Sequence, residues 1–330
     1  MSLRPVGITG IGMAVPERVV TNADLEKLVE TTDEWIRTRT GIRERRISEP
    51  HEASSDYAIK AARKAMAMAG VTGEQIDLII VGTVTPDMIF PSTACILQDA
   101  LGATRAAAFD ISAACPGWIY GLVMGQQTIT SGMYNCVLVV GVELLSKVVD
   151  WTDRNTCVLF GDAAGAAILQ PVSEGRGILA SVLGSEGAGG KHLMVPAGGS
   201  RSPATAETLE NRLHYVKMNG QEVYKFAIRV MNEATVQVLE KAGYGVKDLD
   251  LLVPHQANIR IIEGAMKRLD IGPDRVIINL DRYGNTSSAS IPVALCEALE
   301  TGRLKDGDLV TIVSFGAGLV WGAAALRWGR

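Results

Sequence analysis

At 330 residues, with 47% hydrophobic and 21% charged side chains, the chain is long enough for two domains of about 150 residues and too apolar for disorder. Its formal charge of −4 provides no overall basic field for nucleic acid or an anionic membrane, so any anionic partner must meet a local patch. The five cysteines are widely spaced and form no C-x-x-C pair, which argues against a zinc ribbon or a disulfide scaffold; Met1-Ser2-Leu3-Arg4-Pro5 lacks the apolar core of a signal peptide, so a reducing cytoplasm is expected.

In chain order, Thr31-Thr32-Asp33-Glu34 opens a helix with a capping-box pattern, and Trp35, Arg37, Arg39, Arg43, Arg45 and Arg46 follow closely. That cluster reads either as a solvated basic face or as a tryptophan to stack a nucleotide base with arginines to pair phosphates. A helical pattern over residues 55–69 precedes a strand at 76–81. Strand 106–111 runs into Cys115-Pro116, helix 117–130 and strand 137–140. The second half repeats the alternation: helix 221–242, strand 249–253, helix 260–269, strand 276–280, helix 289–301 and strand 310–314. Such alternation implies βαβ units and a largely parallel, buried sheet. Residues 184–219 are weakly periodic and read as a loop between the halves. Residues 309–326 carry no charge, but glycines break their centre, so they are expected to form paired buried strands rather than a membrane span.

The chain echoes itself. Ala69-Gly70 precedes the run starting at Ile76 just as Ala242-Gly243 precedes the run starting at Leu249, and Phe160-Gly161-Asp162-Ala163-Ala164-Gly165-Ala166-Ala167 pairs with Phe315-Gly316-Ala317-Gly318 and the later Gly322-Ala323-Ala324. Two echoes in one order indicate duplicated α/β halves, 1–172 and 173–330.

Cys115 is the leading candidate for chemistry. Proline directly after it is favoured at the first position of a helix, so Cys115 reads as the cap of a strand-to-helix turn. Unpaired N–H groups and the helix dipole there should lower the thiol pKa, as a nucleophile requires; an inert buried cysteine is the alternative. Of the four histidines, His51, His192 and His214 lie in polar or undistinguished contexts. His255 instead follows strand 249–253 and Pro254, at a strand's carboxyl end where catalytic groups cluster. A histidine bonded to backbone is the competing reading. Asn285, in Tyr283-Gly284-Asn285-Thr286-Ser287-Ser288-Ala289-Ser290, also follows a strand; it reads as an amide donor to an enolate oxygen or as an ordinary turn asparagine. Phe315-Gly316-Ala317-Gly318 leaves backbone N–H groups accessible, as an oxyanion hole requires.

Taken together, Ala114-Cys115, His255-Gln256-Ala257-Asn258 and Gly284-Asn285-Thr286-Ser287 resemble the β-ketoacyl-acyl-carrier-protein synthase III family. Asp33-Glu34-Trp35-Ile36, Arg39-Thr40-Gly41-Ile42-Arg43, Phe90-Pro91-Ser92, Phe160-Gly161-Asp162 and Ser314-Phe315-Gly316-Ala317-Gly318 extend the resemblance over the full length. It implies an α/β, thiolase-like fold with duplicated halves in a five-layered αβαβα arrangement, in a homodimer. It further implies that an acyl-CoA primer acylates Cys115. His255 and Asn285 would then hold the malonyl thioester of malonyl-acyl carrier protein for decarboxylative Claisen condensation, initiating type II fatty acid synthesis. Cys115 and Ala317 would form the oxyanion hole, and Trp35, Arg39 and Arg154 would contact CoA. Phe90, lent across the dimer, and Trp118 would shape the acyl pocket. Lys225, Arg260, Lys267 and Arg268 would receive the acidic carrier protein. No metal or resident cofactor is implied, acyl-CoA being a substrate, and neither nucleic acid nor a membrane is an expected partner.

Two departures from the family pattern, Cys115-Pro116-Gly117-Trp118 and Gln221, bear on the pocket and leave the primer open. Rival readings are a related condensing enzyme of polyketide-type secondary metabolism, a thiolase, which would need a second catalytic cysteine, and a cysteine hydrolase. The hydrolase matches the order Cys, His, Asn but lacks the Cys-Gly-x-Cys-Trp context.

Overall fold

The computed structural model describes residues 4–329. Two mixed sheets carry the fold. The first comprises β1 (Val6–Ala14), β2 (Leu78–Gly82), β3 (Ala107–Ile111), β4 (Val137–Leu144) and β5 (Asp162–Pro171), in the order β1-β5-β4-β2-β3. The second comprises β6 (Gly177–Ser185), β7 (Leu251–Pro254), β8 (Leu309–Gly316) and β9 (Val320–Arg327), in the order β6-β9-β8-β7. In the first sheet β2, β3 and β4 run parallel and β5 is antiparallel to β4 and β1; in the second β7 and β8 run parallel and β9 is antiparallel to β8 and β6.

The main helices are α1 (Asp33–Thr40), α2 (Ser54–Ala69), α3 (Thr93–Ala100), α4 (Gly117–Thr130), α5 (Gly220–Lys241), α6 (Ile259–Leu269) and α7 (Ser290–Glu300). Helices α4 and α7 lie between the sheets; α2 and α3 cover the outer face of the first, and α5 with α6 the outer face of the second, giving five αβαβα layers. Each interface encloses its own apolar core, and the one between the sheets contains Trp118, Ile119, Leu122, Ile291 and Leu295.

The halves repeat in register as well as in order. Leu78 lies opposite Val137 and Leu251 opposite Val310, so both members of the parallel pair are displaced by the same 173 positions (78 to 251, 137 to 310). The first residues of the central helices, Gly117 and Ser290, share that displacement. So do Ala114 and Ser287, which hold left-handed backbone at φ 46° and 48°. Both Ala-Gly signals end helices, with Gly70 at φ 71° and Gly243 at φ 83°. The Gly165-Ala166-Ala167 echo is also positional: Gly141 faces Gly165, and its counterpart Ser314 faces Gly322. The phenylalanine part of that echo is not, because Phe160 precedes β5 whereas Phe315 lies inside β8.

Three further expectations change. Strand 276–280 shrinks to a single parallel bridge between Leu252 and Val276, because the Gln256 side chain takes over the ladder: its amide donates to the Ile277 carbonyl and accepts from the Asn279 N–H. Residues 186–219 do not separate the halves; they follow β6 inside the second one and fold over the site. Residues 309–326 lie in the β8–β9 hairpin, and no helix among the described residues is long and apolar enough to cross a membrane.

Candidate active site

The turn between β3 and α4 delivers Cys115. Helix α4 begins at Gly117 with Pro116 at the cap, so Cys115 is not the cap residue that the sequence suggested but sits one residue ahead of it, just after the left-handed turn at Ala114. Small residues allow the close approach: a Cβ on Gly316 would stand 2.8 Å from the Cys115 nitrogen. The thiol is not activated as the turn suggested. Burial, opposed by the Ser287 hydroxyl and reinforced by the Glu143 charge, pushes it up to about 12.

His255 follows β7, its N–H bonded to the Val313 carbonyl. The ring is buried, lies edge-on to Phe315 with centroids 5.5 Å apart, and places Nδ1 2.7 Å from Ser290 Oγ. Burial pushes its pKa down to about 3, so the imidazole is neutral at physiological pH. Assigning Ser290 as the donor to Nδ1 puts the ring proton on Nε2, the tautomer that lets the ring donate into the cavity. The symmetry explains this pair: in the first half the corresponding residues are Gly82 and Gly117, whose backbones touch, and in the second His255 and Ser290 fill that place with a hydrogen bond.

Asn285 is anchored through its backbone to Leu159 and Gly161. Its Oδ1 accepts the Ser287 N–H at 2.9 Å, which leaves the amide nitrogen to act as donor.

Cys115 stands where two cavities meet. One, of about 220 Å³, is mostly apolar and is lined by Leu145, Phe160, Leu193, Val216, Ser287 and Ala317. The other, of about 140 Å³, contains His255 and Asn285 and reaches Tyr224 and Asn258. A wider hollow of about 480 Å³ beside Arg18, Glu49 and Lys64 lies elsewhere and holds none of these groups.

At the mouth of the smaller cavity, Asn258 caps α6 and donates to the Arg39 carbonyl, while Arg260 Nε donates to the Thr38 carbonyl. The Arg154 guanidinium lies 4.9 Å from the Trp35 ring centroid, bringing that predicted pair together. Lys225 is exposed and paired with Glu222 at 2.8 Å. Lys267 and Arg268 close α6, and Arg268 shares a hollow with Glu233 and Glu240. Two predicted pocket residues line neither cavity of this chain. Phe90 is 82% exposed beside Ile89, and Trp118 is buried in the core between the sheets, because its position in α4 faces inward. Arg45 belongs to no basic face: it is fully buried and bonded to Val20, Asn22 and Val158. Among the described residues no cluster of His, Cys, Asp or Glu could hold a metal ion.

Sequence reading missed Glu143, Ser287 and Ser290. The signal for Glu143 was present, a lone acidic residue inside a β-branched run that a parallel sheet buries on both faces.

Comparison with known proteins identifies the family. Family models described as 3-oxoacyl-[acyl-carrier-protein] synthase III match residues 109–187 and, for its C-terminal part, 239–328. The chain is 75% identical, over 100% of both sequences, to a β-ketoacyl-[acyl-carrier-protein] synthase III of Symbiobacterium thermophilum. Solved structures of synthase III from Thermus thermophilus and Aquifex aeolicus superpose with TM-scores of 0.91 at 49% and 45% identity, each covering 98% of this chain and 99% and 100% of theirs. The chain therefore belongs to the β-ketoacyl-acyl-carrier-protein synthase III family, acyl-transferring condensing enzymes of thiolase-like fold that initiate fatty acid synthesis.

Proposed function

We propose that acyl-CoA and malonyl-acyl carrier protein are condensed at Cys115, with residues 1–172 supplying the nucleophile and 173–330 the histidine and asparagine. The observation that carries this reading is the single cysteine standing between an apolar cavity that ends at Ala317 and a second cavity holding His255 and Asn285. The sulfur attacks the acyl thioester, and the N–H groups of Cys115 and Ala317 receive the developing oxyanion. CoA leaves as the thiol. The malonyl thioester then enters, its carbonyl accepting from His255 Nε2–H and the Asn285 amide. Loss of CO₂ gives an enolate stabilised by those two donors, and its carbon attacks the acyl-cysteine, regenerating Cys115. A neutral histidine suits this role, because a fixed donor stabilises the enolate without delivering a proton to the carbanion.

The 220 Å³ apolar cavity is read as the acyl pocket, Phe90 reaching a partner protomer's pocket in a homodimer. Trp35, Arg154 and Arg39 are read as the CoA contacts, and Lys225, Arg260, Lys267 and Arg268 as the carrier-protein surface. The enzyme acts in the cytoplasm and needs no resident cofactor. The test is intact-protein mass after mixing with acetyl-CoA, isobutyryl-CoA and longer acyl-CoAs separately, with Cys115→Ala as control. An acyl increment lost in the variant supports the reading and ranks the primers; no increment with any donor refutes it.

A further inference from the structure

The mechanism above leaves the thiol proton without a destination. His255 Nδ1 is occupied by Ser290, and a histidine with its proton on Nε2 is a donor rather than a base toward the site. The turn does not solve the problem either, since desolvation pushes the half-buried thiol up to about 12.

A second buried acid reaches the sulfur through one side chain. Glu143, near the carboxyl end of β4, is fully buried. Its Oε2 accepts the Thr85 hydroxyl at 2.7 Å and the Thr83 hydroxyl at 3.4 Å, and both oxygens accept the Val84 N–H at 3.2 Å. Its Oε1 accepts the hydroxyls of Ser287 and Ser288, each at 3.2 Å. Ser287 lines the same cavity as Cys115, and its hydroxyl favours the ionised sulfur. The groups facing Glu143 are thus Thr83, Val84 and Thr85 from the segment after β2, Ser287 and Ser288 from the Asn285 turn, and the titratable Cys115. None of its hydrogen-bond partners is cationic.

The internal symmetry sharpens the point. The 173-position displacement makes Ser288 the counterpart of Cys115 and Gly316 the counterpart of Glu143. Where a glycine of the second half presses on the nucleophile, the equivalent contact brings a carboxylate of the first half to a serine hydroxyl of the second. Since the two turns pack against each other, the carboxylate of the nucleophile's own half ends beside the serines of the other half's turn, next to the reacting sulfur.

We infer that Glu143 is a positioning residue for the acylation half-reaction, drawing the Cys115 proton through the Ser287 hydroxyl as the sulfur attacks. The inference rests on the reading of Cys115 as the nucleophile. The S–H bond breaks while the S–C bond to the thioester carbonyl forms. That proton passes to Ser287 Oγ, and the Ser287 hydroxyl proton passes to Glu143 Oε1. Collapse of the tetrahedral adduct breaks the bond to the CoA sulfur, which takes the proton back along the same path, so Cys-SH and acyl-CoA become acyl-cysteine and CoA-SH. Transfer must accompany attack, because two negative charges cannot share this buried space. Burial pushes Glu143 up to about 7, a proton affinity suited to an acceptor near neutral pH.

The test is single-turnover acylation by acyl-CoA, read as intact mass across pH, with decarboxylation of the malonyl substrate measured in parallel. The wild-type acylation rate should rise with pH through an inflection where Glu143 ionises. Glu143→Gln should lose that inflection and acylate about 100-fold more slowly while still decarboxylating, and Glu143→Asp should recover part of the rate. Ser287→Ala should behave like Glu143→Gln. Ser288→Ala removes a 3.2 Å bond to the same oxygen, one that does not lie on the path, and should keep the rate above the inflection while moving that inflection to higher pH. Wild-type rate and profile in Glu143→Gln, or equal losses in the two serine variants, would overturn the relay. If Glu143→Gln does not fold, the serine pair decides alone. Failure of the wild type to acylate at all points instead to the underlying reading of Cys115.

Discussion

Replacing Ser290 by alanine isolates the group that orients His255. The imidazole is 1% exposed, and the 2.7 Å contact to Ser290 Oγ is the hydrogen bond that its ring makes. Removing the hydroxyl leaves Nδ1 buried without a partner, a cost of about 1–3 kcal/mol for an unsatisfied polar group. It also frees the ring to move its proton to Nδ1, where it cannot serve the malonyl carbonyl. If the whole cost falls on the enolate-forming step, decarboxylation should slow by roughly 5- to 140-fold, at 1.4 kcal/mol per tenfold. The assay separates the half-reactions: acyl transfer to Cys115 by intact mass, and CO₂ release from the malonyl substrate in a Cys115→Ala background. Acylation should be unchanged. A variant that decarboxylates normally but acylates slowly would refute both the tautomer assignment and the division of labour between the two cavities.

Three further outcomes are expected. Gly141→Ala would place a Cβ 2.4 Å from the Ser288 carbonyl oxygen. The backbone of the Asn285 turn would have to move by at least about 0.6 Å, so destabilisation of about 1–3 kcal/mol and slower condensation should appear together in thermal melts and activity assays. Normal stability would mean that the turn is mobile. Glu143, whose pKa burial raises on folding from the ordinary 4.5 to about 7, binds more protons in the native state between those values, so it costs stability as pH rises through that window. Denaturant unfolding at pH about 5 and 8 should show Glu143→Gln gaining roughly 3 kcal/mol relative to wild type at the higher pH; a pH-independent difference contradicts the burial effect. Trp35→Ala, which removes the surface under Arg154, should raise KM for acyl-CoA and leave decarboxylation untouched, and an unchanged KM would remove this pair from the CoA site.

Much of the architecture was written in local pattern. Helix 117–130 is found with the expected bounds, and helices 55–69, 221–242 and 260–269 differ from the observed ones by at most one residue at either end. Apolar periodicity and the left-handed glycines at 70 and 243 are properties of neighbouring residues, and they act the same way in any context. Cys115, His255 and Asn285 could be singled out for a similar reason. Each lies just past an apolar run that reads as a strand; for Cys115 and His255 that run is a strand of the structure, and the carboxyl ends of such strands gather together in an open α/β sheet. The residues that failed to follow the pattern failed for tertiary reasons. Val276 pairs once and no further because Gln256 competes for its neighbours' backbone groups. Trp118 turns into the core because α4 lies between two sheets and has little free face.

The sequence by itself determined the alternation of elements, the duplication and the three candidate residues, because periodicity, capping and turn chemistry act within a few residues. Only the tertiary structure decided which protonation states those residues hold. The thiol is pushed up, the imidazole down and the Glu143 carboxyl up by desolvation, an effect of everything packed around a group rather than of its neighbours in the chain. The meeting of Glu143 with Ser287 has the same origin. Its partners lie about 140 positions away in sequence and become adjacent only when the two halves pack their turns against each other.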